Sequence, residues 1–340
     1  MTETTQKKAA GHVPAADGAA AVEAAAPAEI PVVDIGPLLD GSDPMTPARA
    51  IHAAFRDVGF MYIKNHGIAE AERQGMLDRA AEFFAMPDAV KQALHIERSG
   101  RTLRGYIPLS GENLDPGVNV DLKEAYDLGA EEPDADLPFF GPNPWPQGWE
   151  DGKRDVLAYH EKMVDLTRHL FRGVALGLGL DADHFAPILR HPITVLRLQH
   201  YPPQEPDPEP GTTGCGAHTD YGSLTILGQD DIGGLQVRAK TGEWIDVPPL
   251  PGTFIVNIGD LMEVLTNGIY TATLHRVINT HGLRRYSYPF FMDSDYDALI
   301  EPIDGLADAG DRPKGRSVTC GDHKFSKYLA TFPHLQEAAD

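Results

Sequence analysis

His218 and Asp220 stand two residues apart in GCGAHTDYGSLTIL (Gly214–Leu227), just before a β-type run. In an extended chain, residues i and i+2 face the same way, so this spacing aims an imidazole and a carboxylate at one point. The pair alone carries little weight, because HIE at His95–Glu97 shows the same spacing with nothing nearby to extend it. His275, in TLHRV, lies inside a second β-type run and is placed to supply a third ligand from a neighbouring strand. Two imidazoles and one carboxylate make a facial set that leaves three positions open on a ferrous ion. Further on, RRYSYPFF offers Arg285 and Ser287, again at i and i+2. A planar guanidinium with a hydroxyl beside it suits bidentate capture of a carboxylate. These residues describe a site that holds Fe(II) on one side and anchors an organic acid that chelates it. Taken singly, each has a plainer reading: His275 as a hydrogen-bonded strand histidine, Arg285 as a surface charge, and Tyr201 before Pro202 as a strand-end aromatic.

The elements that must position these residues follow from periodicity and turn chemistry. From Thr194 onward, TVLRLQHY, LTILGQD, GLQVRAKTGEWIDVPP, TFIVNIGD, TATLHRVINT and RYSYPFFMD are short β-rich runs separated by Gly, Pro and Asp. Such close spacing predicts a β-sandwich or barrel. Alternation places Trp244 and Phe254 on core-facing positions. Upstream, IPVVDIGPLL (Ile30–Leu39) begins with a strand-like run. A helix, a turn at Gly59, a strand over Phe60–Lys64 and a turn at Asn65-His66-Gly67 come next. Helices are predicted over Ala69–Phe84 and Glu150–Leu178, while residues 100–150, rich in Gly, Pro and aromatics, read as irregular. Residues 1–29 are Ala-rich and carry almost nothing bulky, so they read as a disordered tail. Asp17 and Glu23 interrupt the alanines, which argues against a signal peptide. The expected division is therefore a tail (1–29), an N-terminal region (30–150), a support helix and connection (151–190), and a β core (191–335). His66, His160 and His281 read as solvated or capping groups.

Composition narrows the function classes. The chain has 340 residues and a net charge of -21, spread along its length, a surface that repels nucleic acid and anionic membranes. No apolar run of about 18 residues is present, so no membrane span is expected. Two cysteines, Cys215 and Cys320, are too few for a disulfide framework and fit a reduced cytoplasmic compartment. Cys215 lies three residues before His218.

The ordered set of motifs resembles the iron- and 2-oxoglutarate-dependent dioxygenases of the isopenicillin N synthase-like superfamily. IPVVDIGPLL and FRDVGFMYIKNHGI are similar to that family's N-terminal region, and DLKEAYDLG and QHYPPQ to its middle. HTDYGSLTIL, GGLQVR, GEWIDVPPLPGTFIVNIGD, LTNGIYTATLHRV and RYSYPFF are similar, in order and spacing, to its core. The resemblance covers nearly everything after the tail. It implies an α+β fold, mainly β, with a double-stranded β-helix (jelly-roll) barrel and a helical N-terminal region packed against it. Position by position, it implies Fe(II) ligation by His218, Asp220 and His275. It implies 2-oxoglutarate binding by Arg285 and Ser287 with help from Tyr201, and substrate contacts from Tyr106 and Phe291. The family often has Asn two positions before that tyrosine, where Gln199 stands here. The implied activity is oxidation of a small-molecule substrate, by hydroxylation or desaturation, in specialised metabolism. It consumes O2 and decarboxylates 2-oxoglutarate to succinate. A cytoplasmic monomer or weak homo-oligomer is expected. A 2-oxoglutarate-independent Fe(II) oxidase or cyclase of the same superfamily, and a non-catalytic metal-binding β-barrel, are the alternative readings.

Overall fold

The computed structural model describes residues 29–112, 114, 120–133, 137–204, 212–279, 282–306 and 318–332, so the expected tail lies outside them except for Glu29. The N-terminal part forms β1 (Val32–Asp34), α1 (Gly36–Leu39), α2 (Met45–Asp57), β2 (Phe60–Lys64), α3 (Glu70–Phe84) and α4 (Asp88–Ala93). Then come β3 (Gly105–Ile107), β4 (Val120–Asp121), β5 (Glu124–Leu128) and the long α5 (Glu150–Gly177). The core strands are β6 (Pro192–Tyr201), β7 (Thr212–Thr213), β8 (Cys215–His218), β9 (Leu224–Gln229), β10 (Leu235–Arg238), β11 (Trp244–Asp246) and β12 (Phe254–Ile258). After α6 (Asp260–Leu265) follow β13 (His275–Val277), β14 (Arg285–Asp295), β15 (Leu299–Ile300), β16 (Val318–Thr319) and α7 (Cys320–Thr331). No helix among the described residues is long and apolar enough to cross a membrane.

Two sheets pack face to face. The larger runs β1-β2-β12-β9-β14-β6-β5-β3 and the smaller β11-β10-β13-β8. Between them lies one apolar cluster, with Phe60, Tyr62, Tyr201 and Ile255 from the larger sheet and Cys215, Leu235, Val237 and Val277 from the smaller. Strand alternation sorts the larger sheet into two surfaces. Arg285 pairs with Tyr201, Ser287 with Gln199 and Phe291 with Val195, and this set faces the smaller sheet. The residues between them, among them Leu196, Leu198, Tyr288 and Phe290, face the helices. There Tyr288 meets Tyr159 and Phe290 meets His160, both on α5. Burying a large apolar side chain contributes roughly 1.5–3 kcal/mol, so α5 is held by its stripe of Val156, Tyr159, Met163, Leu166, Leu170 and Val174. It stops at Gly179, whose φ of 77° continues the chain in the left-handed region.

The expected strand over Phe60–Lys64 and the helices near Ala69–Phe84 and Glu150–Leu178 are present within a residue or so. Residues 100–150 are less irregular than their composition predicts. Glu124–Leu128 is a full member of the larger sheet with every residue buried. Its polar letters hid it: Glu124 faces the helices and accepts from Lys91 Nζ (2.9 Å), Tyr106 Oη (2.6 Å) and His200 Nδ1 (2.7 Å). Asp127 faces the other way and takes the Arg197 guanidinium. His160 is buried, not solvated, with Nε2 3.0 Å from Thr194 Oγ1. His66 is buried against Phe254 and accepts the Ile68 N–H, while His281 lies outside the described residues. Phe254 is core, as alternation indicates, but Trp244 is half-buried with the Arg276 guanidinium 4.1 Å from its ring centre.

Candidate active site

His218 ends β8, Asp220 follows it, and His275 opens β13, which pairs with β8 so that the two histidines lie directly opposite. Their ligand atoms all lie within 4.8 Å of one another. Each side chain is turned by a second hydrogen bond. His218 Nδ1 donates to the Gly216 carbonyl (2.8 Å) and His275 Nδ1 to the Thr273 carbonyl (3.2 Å), which points both Nε2 atoms inward. Asp220 Oδ2 accepts from Thr225 Oγ1 and from Asn257 Nδ2 (2.7 Å), leaving Oδ1 3.8 and 3.6 Å from the two Nε2 atoms. Burial alone raises a carboxyl pKa, but His275, His218 and these hydrogen bonds hold Asp220 below its ordinary value. Burial, with His218 beside it, pushes His275 down to about 4, so its imidazole is neutral near pH 7. Two imidazole nitrogens and one carboxylate oxygen, each with its remote atom satisfied, fit a divalent transition metal.

The strand that carries His218 is bulged. His275 faces His218 and Val277 faces Cys215, so Gly216 and Ala217 together oppose the single residue Arg276. In a regular strand Cys215 and His218 point to opposite faces; the extra residue puts both on the inner face, where Cys215 Sγ lies 3.9 Å from His218 Nδ1. A bulge leaves a ladder N–H without a strand partner. Here the Gly216 N–H is taken at 2.8 Å by Oδ1 of Asp121, a fully buried carboxylate whose Oδ2 meets Lys123 Nζ at 2.6 Å.

Arg285, Ser287 and Tyr201 come together at the inner end of the same cavity. Arg285 is 1% exposed, yet among the described residues no carboxylate reaches it. Its Nη2 donates to Gln229 Oε1 (2.9 Å), its guanidinium lies 4.7 Å from the centre of the Tyr201 ring, and its buried Nε has no partner. A buried, unmatched guanidinium is costly unless an anion completes it, so the chemistry of this end suits a carboxylate. Gln199 accepts from both Ser287 Oγ (2.9 Å) and Tyr201 Oη (3.1 Å), so it ties two of the expected residues together. One cavity holds this end and the three metal-site side chains.

A second cavity opens on the other side of His218 and Asp220. Phe291 lines both. Tyr106 lines neither. It sits on β3 facing the helices, buried, with its hydroxyl on Glu124, and belongs to the polar core there. The outer cavity is walled by residues the sequence reading did not single out: Glu112, Arg197, Tyr221, and Lys324, Tyr328 and Phe332 at the C-terminal end. Lys324 and Tyr328 share one face of α7, whose first turn is capped by Thr319 Oγ1 accepting the Asp322 N–H.

Residues 192–294 match the 2OG-Fe(II) oxygenase superfamily, and residues 30–148 match a family described as the non-haem dioxygenase in morphine synthesis N-terminal region. The chain is 38% identical to a homoarginine-6-hydroxylase of Oryza sativa, over 89% of this chain and 97% of that one. It is 33% identical to a 2-oxoglutarate-Fe(II) type oxidoreductase of Emericella nidulans, over 90% and 91% of the two chains. Among solved structures, a full-length Neurospora crassa protein in complex with alpha-KG and thymine superposes with a TM-score of 0.79 at 31% identity, covering 88% of this chain and 96% of that one.

Proposed function

The chain belongs to the 2OG-Fe(II) oxygenase superfamily, and from that premise we propose a role for each residue of its site. It is a 2-oxoglutarate-dependent dioxygenase that uses Fe(II), 2-oxoglutarate and O2. His218, Asp220 and His275 hold the metal. Arg285 and Ser287 bind the carboxylate of 2-oxoglutarate remote from the metal, and Tyr201 and Gln199 fix that pair in place. When bound, Fe(II) supplies the O2 chemistry that couples decarboxylation of 2-oxoglutarate to oxidation of a C–H bond. The protein's own contribution is positional: it turns three ligand atoms inward, excludes water with Phe60, Leu227 and Phe291, and leaves the outer cavity for substrate.

The observation that carries this reading is Arg285, a buried cation with no carboxylate partner among the described residues, in the same cavity as the His-Asp-His set. We take the substrate to be a small organic molecule and the reaction to be a hydroxylation in specialised metabolism, in a cytoplasmic enzyme. The rice relative's name, a homoarginine hydroxylase, supports a small molecule. Anaerobic titration of the metal-free protein with Fe(II) and 2-oxoglutarate tests the site. A visible charge-transfer band that needs both additions, and that is lost in Asp220→Ala and weakened in Arg285→Ala, is the expected outcome. A band that survives both substitutions overturns the assignment.

A further inference from the structure

We infer that the outer cavity recognises its substrate through an N–H donor group (guanidinium, ammonium or amide) bound by Glu112, and not through a carboxylate. The inference rests on the active-site reading above. It comes from a contrast between the two buried arginines of the barrel. Arg285 has no acidic partner among the described residues, which is why that end takes an anion. Arg197, in the outer cavity, is already saturated. Its Nε and Nη2 bind Asp127 (2.6 and 2.7 Å), and its Nη1 and Nη2 bind Glu112 (2.8 and 3.2 Å).

The other cations here are matched as well. Lys123 lies 2.6 Å from Asp121 and 3.3 Å from Glu112, and Lys324 pairs with Asp293. Among the described residues these three cations (Arg197, Lys123, Lys324) are thus all paired, with Glu112, Asp121, Asp127 and Asp293. An incoming carboxylate finds no unmatched cation among the described residues. An N–H donor finds Glu112, whose carboxylate lines the cavity and whose Oε1 accepts, among the described residues, only from Arg197. Burial alone favours the protonated acid, but Arg197 and Lys123 hold Glu112 down at about 2, so it is an acceptor throughout the neutral range. The remaining walls, Tyr221, Phe291, Tyr328 and Phe332, present ring faces suited to a planar or cationic group.

The test uses the full-length protein loaded anaerobically with Fe(II) and 2-oxoglutarate. Butylguanidine, agmatine and δ-valerolactam serve as N–H probes, and hexanoate and phenylacetate as acid probes of similar size. The readouts are perturbation of the charge-transfer band and, in air, stimulated succinate formation. N–H probes are expected to act and acid probes to be inert. Glu112→Gln is expected to weaken the apparent affinity for the effective probe by about tenfold, because it removes a charged acceptor. The inference is overturned if acid probes act as well as N–H probes, if no N–H probe acts, or if Glu112→Gln responds like the wild type. The wild-type comparison stands even if the variant folds poorly. Failure to form the Fe(II)–2-oxoglutarate band at all is a different result, and sinks the active-site reading itself.

Discussion

Asp121 touches no substrate or metal ligand, yet its replacement by Asn is expected to weaken iron binding. The carboxylate accepts on both oxygens, from the Gly216 N–H at 2.8 Å on Oδ1, and from Lys123 Nζ at 2.6 Å and the Leu114 N–H at 3.3 Å on Oδ2. Asparagine has one oxygen and one NH2, so one of those donors must face another donor. Charge-assisted hydrogen bonds are about twice as strong as neutral ones, so the lysine claims the oxygen and the bulge N–H is orphaned. A buried donor without a partner costs about 1–3 kcal/mol. Strand β8 relieves that cost by shifting at Gly216, the residue whose carbonyl orients His218. The loss falls on Fe(II) affinity, by about 10- to 100-fold, the usual range for groups that orient metal ligands. Anaerobic Fe(II) titration in the presence of 2-oxoglutarate measures it, with calorimetry of the metal-free protein as the stability control. Asp127→Asn is the comparison, since Asp127 is equally buried but binds Arg197 and does not touch β8. It is expected to lower stability while iron affinity stays near wild type. Wild-type iron affinity in Asp121→Asn, or equal losses in both variants, refutes the reasoning.

Arg285→Ala removes the cation at the acid-binding end and is expected to raise the 2-oxoglutarate concentration required for half-maximal turnover on the order of 100-fold; an unchanged requirement places the acid anchor elsewhere. His218→Ala is expected to abolish substrate-coupled succinate formation while circular dichroism and the melting temperature of the metal-free protein stay near wild type. Burial pushes His160 down to about 4, with the Arg104 charge a lesser cause. The unfolded chain, with its histidine near 6.5, therefore takes up the proton first on acidification. Stability from this residue is full above about pH 6.5 and is lost as pH falls toward 4, about 2 kcal/mol between pH 7 and pH 4.5. Denaturant unfolding at the two pH values should show a smaller drop in His160→Gln; an identical drop refutes the assignment.

The chemistry of the site was legible because it obeys local spacing rules, and what was missed depends on pairing between distant strands. His218-x-Asp220 and Arg285-x-Ser287 need only the period of an extended chain. Thr225, Asn257 and Gln229 reach the site only through register: Asn257 lies beside Thr225, and Gln229 beside Ser287, on strands that no sequence spacing places side by side. A signal was available in β9, where Thr225, Leu227 and Gln229 share one face and two of the three are polar, which is unusual for an inward face. The bulge was invisible for a related reason. Read with strict alternation, Cys215 on the inner face would send His218 outward and forbid the site; only the pairing of Val277 with Cys215 and His275 with His218 shows the added residue. Tyr106 failed in the opposite direction. Its likeness to a pocket position said nothing about which face of β3 it occupies, and its pairing with Tyr126 puts it with Glu124 on the helix side. The same feature accounts for both the hidden strand β5 and the inferred substrate class. Glu124 and Asp127 are buried on opposite faces of one strand, each neutralised by cations from elsewhere in the chain. The strand therefore reads as polar in sequence while acting as core in the fold. On its inner face Asp127, with Glu112, saturates Arg197, so that among the described residues the outer cavity has no free positive charge.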